Sequence, residues 1–164
     1  MGYQLIETVT VGSGGASSIQ FTSIPQDGVD LLLVVSLRQD TSSRVALLRF
    51  NNDSGANYAG IRLLGDGTSA FSNTITNTQL VGLTTTSSQT ANTFANESIY
   101  ISNYTSSTSK SVSADGVQEN NATSSIQQLF AGRYTTTSPI TVARLSLDTG
   151  LLLEHSSASL YKIL

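Results

Sequence analysis

The sequence predicts an all-β chain: a single-domain jelly-roll β-sandwich of two antiparallel sheets, with about ten strands over residues 1–164. Three observations carry this expectation. Apolar and polar residues alternate with a period of two over many short segments, as a pleated strand requires. Clusters of Gly, Asn, Asp and Pro separate those segments at short, regular spacing. Helix signals are missing, because the apolar residues do not recur at intervals of three and four, and lysine and glutamate are scarce.

The elements follow in order. Residues 3–11 form a strand with Leu5, Val9 and Val11 on one side, and Gly12-Ser13-Gly14-Gly15 breaks it. Residues 18–24 place Ile19 and Phe21 on one face, and Pro25-Gln26-Asp27-Gly28 is a turn with proline in its preferred position. Residues 30–38 are the most apolar stretch, with Leu31, Leu33, Val35 and Leu37 on one face and Leu32 and Val34 on the other. A strand apolar on both faces reads as central and covered on each side. Residues 44–50 and 58–64 read as a hairpin around the turn cluster Asn51-Asn52-Asp53-Ser54-Gly55, and Asp66-Gly67 ends it. Residues 68–93 are polar and rich in Ser and Thr, a long loop or weak edge strands, with partial strand expected over 79–83. Strands resume over 94–104, 110–117, 125–134, 140–147, 151–153 and 157–164. The expected core includes Leu31, Leu33, Val35, Leu48, Phe50, Ile61, Leu63, Ile99, Ile101, Leu145 and Leu160.

Composition narrows the function. Serine and threonine make up 47 of 164 residues, while only 12% are charged, about half the usual quarter. The absence of cysteine excludes disulfides, thiol catalysis and thiolate metal sites, and one histidine excludes a multi-histidine site in a single chain. A net charge of -3 argues against a non-specific nucleic-acid binder. No apolar run approaches the ~20 residues of a membrane-spanning helix. The N-terminal residues are expected to carry neither a signal peptide nor a myristoylation signal, since position 6 is Ile.

The order of several segments resembles a known family. They are Tyr3-Gln4-Leu5-Ile6-Glu7-Thr8-Val9, Ser18-Ile19-Gln20-Phe21-Thr22-Ser23-Ile24-Pro25-Gln26 and Asp30-Leu31-Leu32-Leu33. Then come Leu48-Arg49-Phe50-Asn51-Asn52-Asp53-Ser54-Gly55-Ala56-Asn57-Tyr58, Arg62-Leu63-Leu64-Gly65-Asp66-Gly67, Ile99-Tyr100-Ile101-Ser102-Asn103-Tyr104 and Glu119-Asn120-Asn121-Ala122-Thr123. The succession resembles small virion proteins of tailed bacteriophages, cyanophages included, a group that supplies capsid cement (decoration) proteins and similar modules in fibre-like proteins. The resemblance implies a non-enzymatic jelly-roll-like domain without cofactor. It would be a homotrimer on the outer capsid surface of the virion, bridging subunits of the major capsid protein. The alternative is a tail-fibre or receptor-binding module that recognises host glycan. Its variable loops would then be residues 68–93, and Tyr58, Phe71, Tyr100 and Tyr134 its stacking aromatics.

Other constellations have plainer readings. His155, flanked by Glu154 and Ser156, lacks a nucleophile elbow and reads as a surface or end-of-strand residue. Asp27, Asp53, Asp66 and Asp148 lie next to glycine-containing turns and read as local backbone caps, and Asp115 precedes Gly116. A glycosidase would need two carboxyls across a cleft, with Glu97, Asp115 and Glu119 the candidates. Asn51 to Gly55 is rich in oxygen but lacks calcium-loop spacing. Sequons at Asn52, Asn96, Asn103 and Asn121 follow from composition. Arg38, Arg49, Arg62, Arg133 and Arg144 fall in or at the ends of strands. They read either as solvated heads over covered stems or as oligomer or capsid contacts, which in a trimer could pair with a neighbour's Asp or Glu.

Overall fold

The computed structural model describes residues 2–77, 80–119 and 125–164. Among them the chain is all-β, without a helix. The strands are β1 (Tyr3–Thr10), β2 (Ser18–Phe21), β3 (Asp30–Leu37), β4 (Val45–Phe50), β5 (Tyr58–Gly65) and β6 (Ala70–Asn77), followed by β7 (Leu80–Leu83), β8 (Ala95–Ile101), β9 (Lys110–Glu119), β10 (Ser125–Tyr134), β11 (Ala143–Leu147) and β12 (Ser157–Ile163). They form two antiparallel sheets packed as a sandwich: an eight-stranded sheet in the order β1-β12-β3-β8-β9-β10-β5-β6 and a four-stranded sheet in the order β2-β11-β4-β7.

The pairing is nested in sequence. First strand pairs with last (β1 with β12), β2 with β11, β3 with β8 and β4 with β7. The hairpin β5–β6 is inserted between β4 and β7, and the hairpin β9–β10 between β8 and β11, and both extend the large sheet beyond β8.

The core lies between the sheets. Leu31, Leu33 and Val35 of β3, Ile99 and Ile101 of β8, and Leu160 of β12 meet Leu48 and Phe50 of β4 and Leu145 of β11, all buried. Each fully buried side chain of this size contributes ~1.5–3 kcal/mol. At one end Tyr58 and Tyr134 stack with ring centroids 4.9 Å apart, and Tyr134 packs on Phe50 at 5.4 Å. The Tyr58 hydroxyl accepts from the Phe50 N–H (3.0 Å) and donates to the Asp53 carbonyl (3.2 Å).

Four sequence expectations are corrected. The hairpin between residues 44–50 and 58–64 does not form, because both edges of β4 are taken by β11 and β7. The chain instead crosses between sheets at Asn51 and Asn52, both at positive φ. Asn51 ties that crossing down: its amide donates to the Pro139 carbonyl and accepts from the Thr141 and Val142 N–H groups. Ile61 and Leu63 are not core, because the inner face of β5 belongs to Tyr58, Gly60, Arg62 and Leu64. At Gly60 a Cβ would collide with the Phe130 ring, so glycine lets the inner face close there. Leu5 does not share a face with Val9, since a bulge between Leu5 and Glu7 shifts the register. β3 is central but covered on one side only, leaving Val34 exposed.

Residues 68–93 hold β6, β7 and a loop, and not one long variable loop. The expected strand residue Gln79 and the sequon Asn121 lie outside the described residues. The loop is fixed by Arg38, whose guanidinium donates to the carbonyls of Gln89 (3.1 Å), Thr90 (2.8 Å) and Thr93 (3.0 Å). Arg38→Met is expected to cost about 1–3 kcal/mol, and to open the chain to chymotrypsin at Phe94. Thermal melts combined with limited proteolysis check both.

Candidate functional site

The outer face of the large sheet is built by the residues that alternate with the core. Cross-strand register aligns Tyr161, Leu32, Tyr100, Ser113, Ala131 and Ile61 in one row. The adjacent row is Ser159, Val34, Ser98, Asp115, Leu129 and Leu63. Ile61 is 57% exposed, Leu63 53% and Leu129 48%. Together with Leu32, Tyr100 and Ala131 they line an open, shallow trough across β3, β8, β9, β10 and β5. The charges on this face stand mainly at strand ends: Asp30, which accepts from the Tyr100 hydroxyl, Glu119 and Arg133. Asp115 lies within it. A contiguous, nearly uncharged apolar surface makes this face the candidate interaction site.

The opposite face of the same sheet hides a carboxyl group. Glu97 of β8 is buried beneath β7, between Gly82 and Gly116. A Cβ on Gly82 would collide with the Glu97 carboxyl, so glycine makes room for it. Among the described residues, its oxygens accept long hydrogen bonds from the Leu83 N–H and the Gln128 amide, each at 3.4 Å. Burial pushes its pKa up to about 8. The carboxyl borders a small void of about 10 Å³ lined otherwise by Ala46, Leu48, Ile99 and neighbours, roughly the space of one water.

The structure disperses the groups that a hydrolase would need. Glu97 faces the interior while Asp115, on the neighbouring strand, faces outward, and Glu119 is exposed at the end of β9. His155 is an exposed turn residue at φ 70°. The adjacent Ser156 hydroxyl is buried, accepting from the Arg38 N–H and donating to the Arg38 carbonyl, each at 3.1 Å. Asp53 caps the Gly55 N–H (2.7 Å) and Asp66 caps Thr68 and Ser69, as turn carboxylates do. Asp27 pairs instead with Lys162 at 2.6 Å, and that hydrogen bond holds its carboxyl below the usual range. Asp148 accepts from the Ser43 hydroxyl.

The five arginines do not converge. Arg38 is turned inward onto the loop, as above. Arg62 lies on the inner side of the β5–β6 hairpin, donating to Asn73 Oδ1 at 3.0 Å and lying 5.8 Å from the centre of the Phe71 ring. Arg49 and Arg144 are direct cross-strand neighbours on the outer face of the small sheet, and the buried Arg144 Nε has no hydrogen-bond partner among the described residues. Arg133 is exposed at the rim of the apolar face. Of the aromatics assigned to glycan stacking, Tyr58 and Tyr134 are buried against each other and cannot reach a ligand. Phe71 and Tyr100 remain accessible.

Sequence reasoning missed the outer face. Its signal was the double-sided apolar pattern of residues 31–35 and 61–64, which reads equally as a strand covered on both sides. Among the described residues, no group of three or more His, Asp or Glu could hold a metal ion, and no helix is long and apolar enough to cross a membrane. The chain matches no protein-family model, no curated protein and no solved structure.

Proposed function

We propose that this chain is a structural virion protein, a capsid cement (decoration) protein of the tailed-phage type, that seats the outer face of its large sheet on the major capsid protein at the head surface. The observation that carries this reading is the apolar outer face around Ile61, Leu63, Leu129 and Tyr100. The nested strand order, β1-β12-β3-β8 over β2-β11-β4-β7, supports it: we read it as a jelly roll, an architecture common in viral capsid proteins.

The physics suits a bridging role. A rigid sandwich orders little further on docking, so less of the contact energy is lost to entropy. Burying the remaining exposed half of each large aliphatic on the face gains about 1 kcal/mol per residue. Serine and threonine neighbours supply hydrogen bonds that ionic strength does not screen.

Purified chain mixed with phage heads stripped of surface proteins should co-sediment saturably. Raising salt from ~50 mM to ~500 mM should change the affinity less than threefold, because the face is nearly uncharged. Absence of saturable binding to such heads would refute the cement assignment.

A further inference from the structure

Four strands end the two sheets: β1 and β6 in the large one, β2 and β7 in the small one. An edge strand offers unpaired N–H and C=O groups, and natural proteins blunt it with short length, a bulge, proline or charge. β2 and β7 have four residues each. β1 carries a bulge and Glu7. β6 has none of these devices. It runs eight residues, Ala70–Asn77, in unbroken register with β5, without glycine, proline or charge.

Its sequence is also complementary to itself. Register with β5 puts Phe71, Asn73 and Ile75 on the inner side, level with Leu64, Arg62 and Gly60, and Ser72 and Thr74 on the outer side. Phe71 is 49% exposed. We infer that β6 pairs antiparallel with β6 of a second copy, about a two-fold axis normal to the sheet at Asn73. An axis in that orientation keeps the inner faces of both copies on one side, so residues of the same face meet. Of the registers this allows, the one centred on Asn73 sets Phe71 opposite Ile75 on both sides of the axis, and Ser72 opposite Thr74. Aromatic with β-branched and Ser with Thr are favourable cross-strand pairs. Arg62 steadies both inner groups from the neighbouring strand, through its hydrogen bond to Asn73 and its place over Phe71.

The product is an isologous dimer in which the two large sheets become one. Both outer apolar faces then lie on the same surface, where a bivalent dock would bind more tightly than a single one. The pairing does not rest on the capsid reading and is measured without heads.

The chain has no cysteine, so Asn73→Cys places one thiol per copy, directly on the axis. Oxidation should link it into a dimer. Thr76→Cys places the two thiols six residues apart across the axis, about 20 Å, far beyond the ~7 Å Cα limit of a disulfide, and should stay unlinked. Light scattering of the unmodified chain at tens of micromolar should give twice the 17.3 kDa chain mass. Thr74→Lys, a charge on the exposed edge, should weaken dimerisation at least tenfold with an unchanged circular-dichroism spectrum. A monomer throughout that range overturns the inference. So does equal linking of both cysteine variants, or the trimer implied by the resemblance if Thr74→Lys leaves it intact.

Discussion

Between pH 5 and pH 8 the stability of this protein should fall by several kcal/mol, and Glu97→Gln should remove the fall. The cause is the carboxyl buried between Gly82 and Gly116, whose pKa rises from 4.5 to about 8 on folding. Below about pH 4.5 the group is protonated in both states and adds no pH dependence. Between 4.5 and 8 the folded chain holds a proton that the unfolded chain has released, so each pH unit costs about 1.4 kcal/mol. Above 8 both states are ionised, the charge stays buried, and the loss levels off. Glutamine fits the same space and cannot ionise. The variant should therefore match the parent near pH 5 and exceed it at pH 8, with urea midpoints as the readout. Parallel pH profiles for the two proteins would show that Glu97 does not titrate in this way.

The second large effect concerns binding. Ile61→Asp combined with Leu129→Asp puts two carboxylates in the middle of the apolar face, the second directly across from Asp115. Neither side chain is part of the core, so the melting temperature should move by only a few degrees, as surface substitutions do. On docking, each carboxylate would have to be desolvated without a partner, at a cost of several kcal/mol. Capsid binding should drop at least a hundredfold. Arg133→Ala at the rim should cost less than tenfold, because exposed charges at an interface edge contribute little. If the double variant binds like the parent, the face does not carry the contact.

These effects were unevenly legible in the sequence. The strands were, because period-two alternation and the Asn, Asp and Gly turns are local signals: residues 30–38, 125–134 and 157–164 all correspond to strands of the structure. Which strand joins which was not. β5 lies against β10, some seventy residues on in the chain, and no local pattern encodes that choice. The faces of β5 follow from it: Ile61 and Leu63 are as apolar as any core pair, and the stacking of Tyr58 on Tyr134 and the closure of Gly60 on Phe130 go with their facing outward. The bulge at Leu5 likewise inverts an alternation that looked regular. Glu97 stood out as a carboxylate without a turn to explain it, but its burial depends on two glycines from other strands. Arg38 looked like a surface or contact residue, and the carbonyls that hold it come from a loop fifty residues away.

Hydroxyl-radical footprinting of the chain, free and bound to stripped heads, tests the central claim most directly. In the free protein Leu63, Tyr100 and Leu129 should be oxidised, together with His155 in its exposed turn before β12, outside the apolar trough. On the head, the first three should be protected several-fold while His155 keeps its rate. Protection of His155, with Leu63, Tyr100 and Leu129 still oxidised at their free rates in the bound state, would contradict the account.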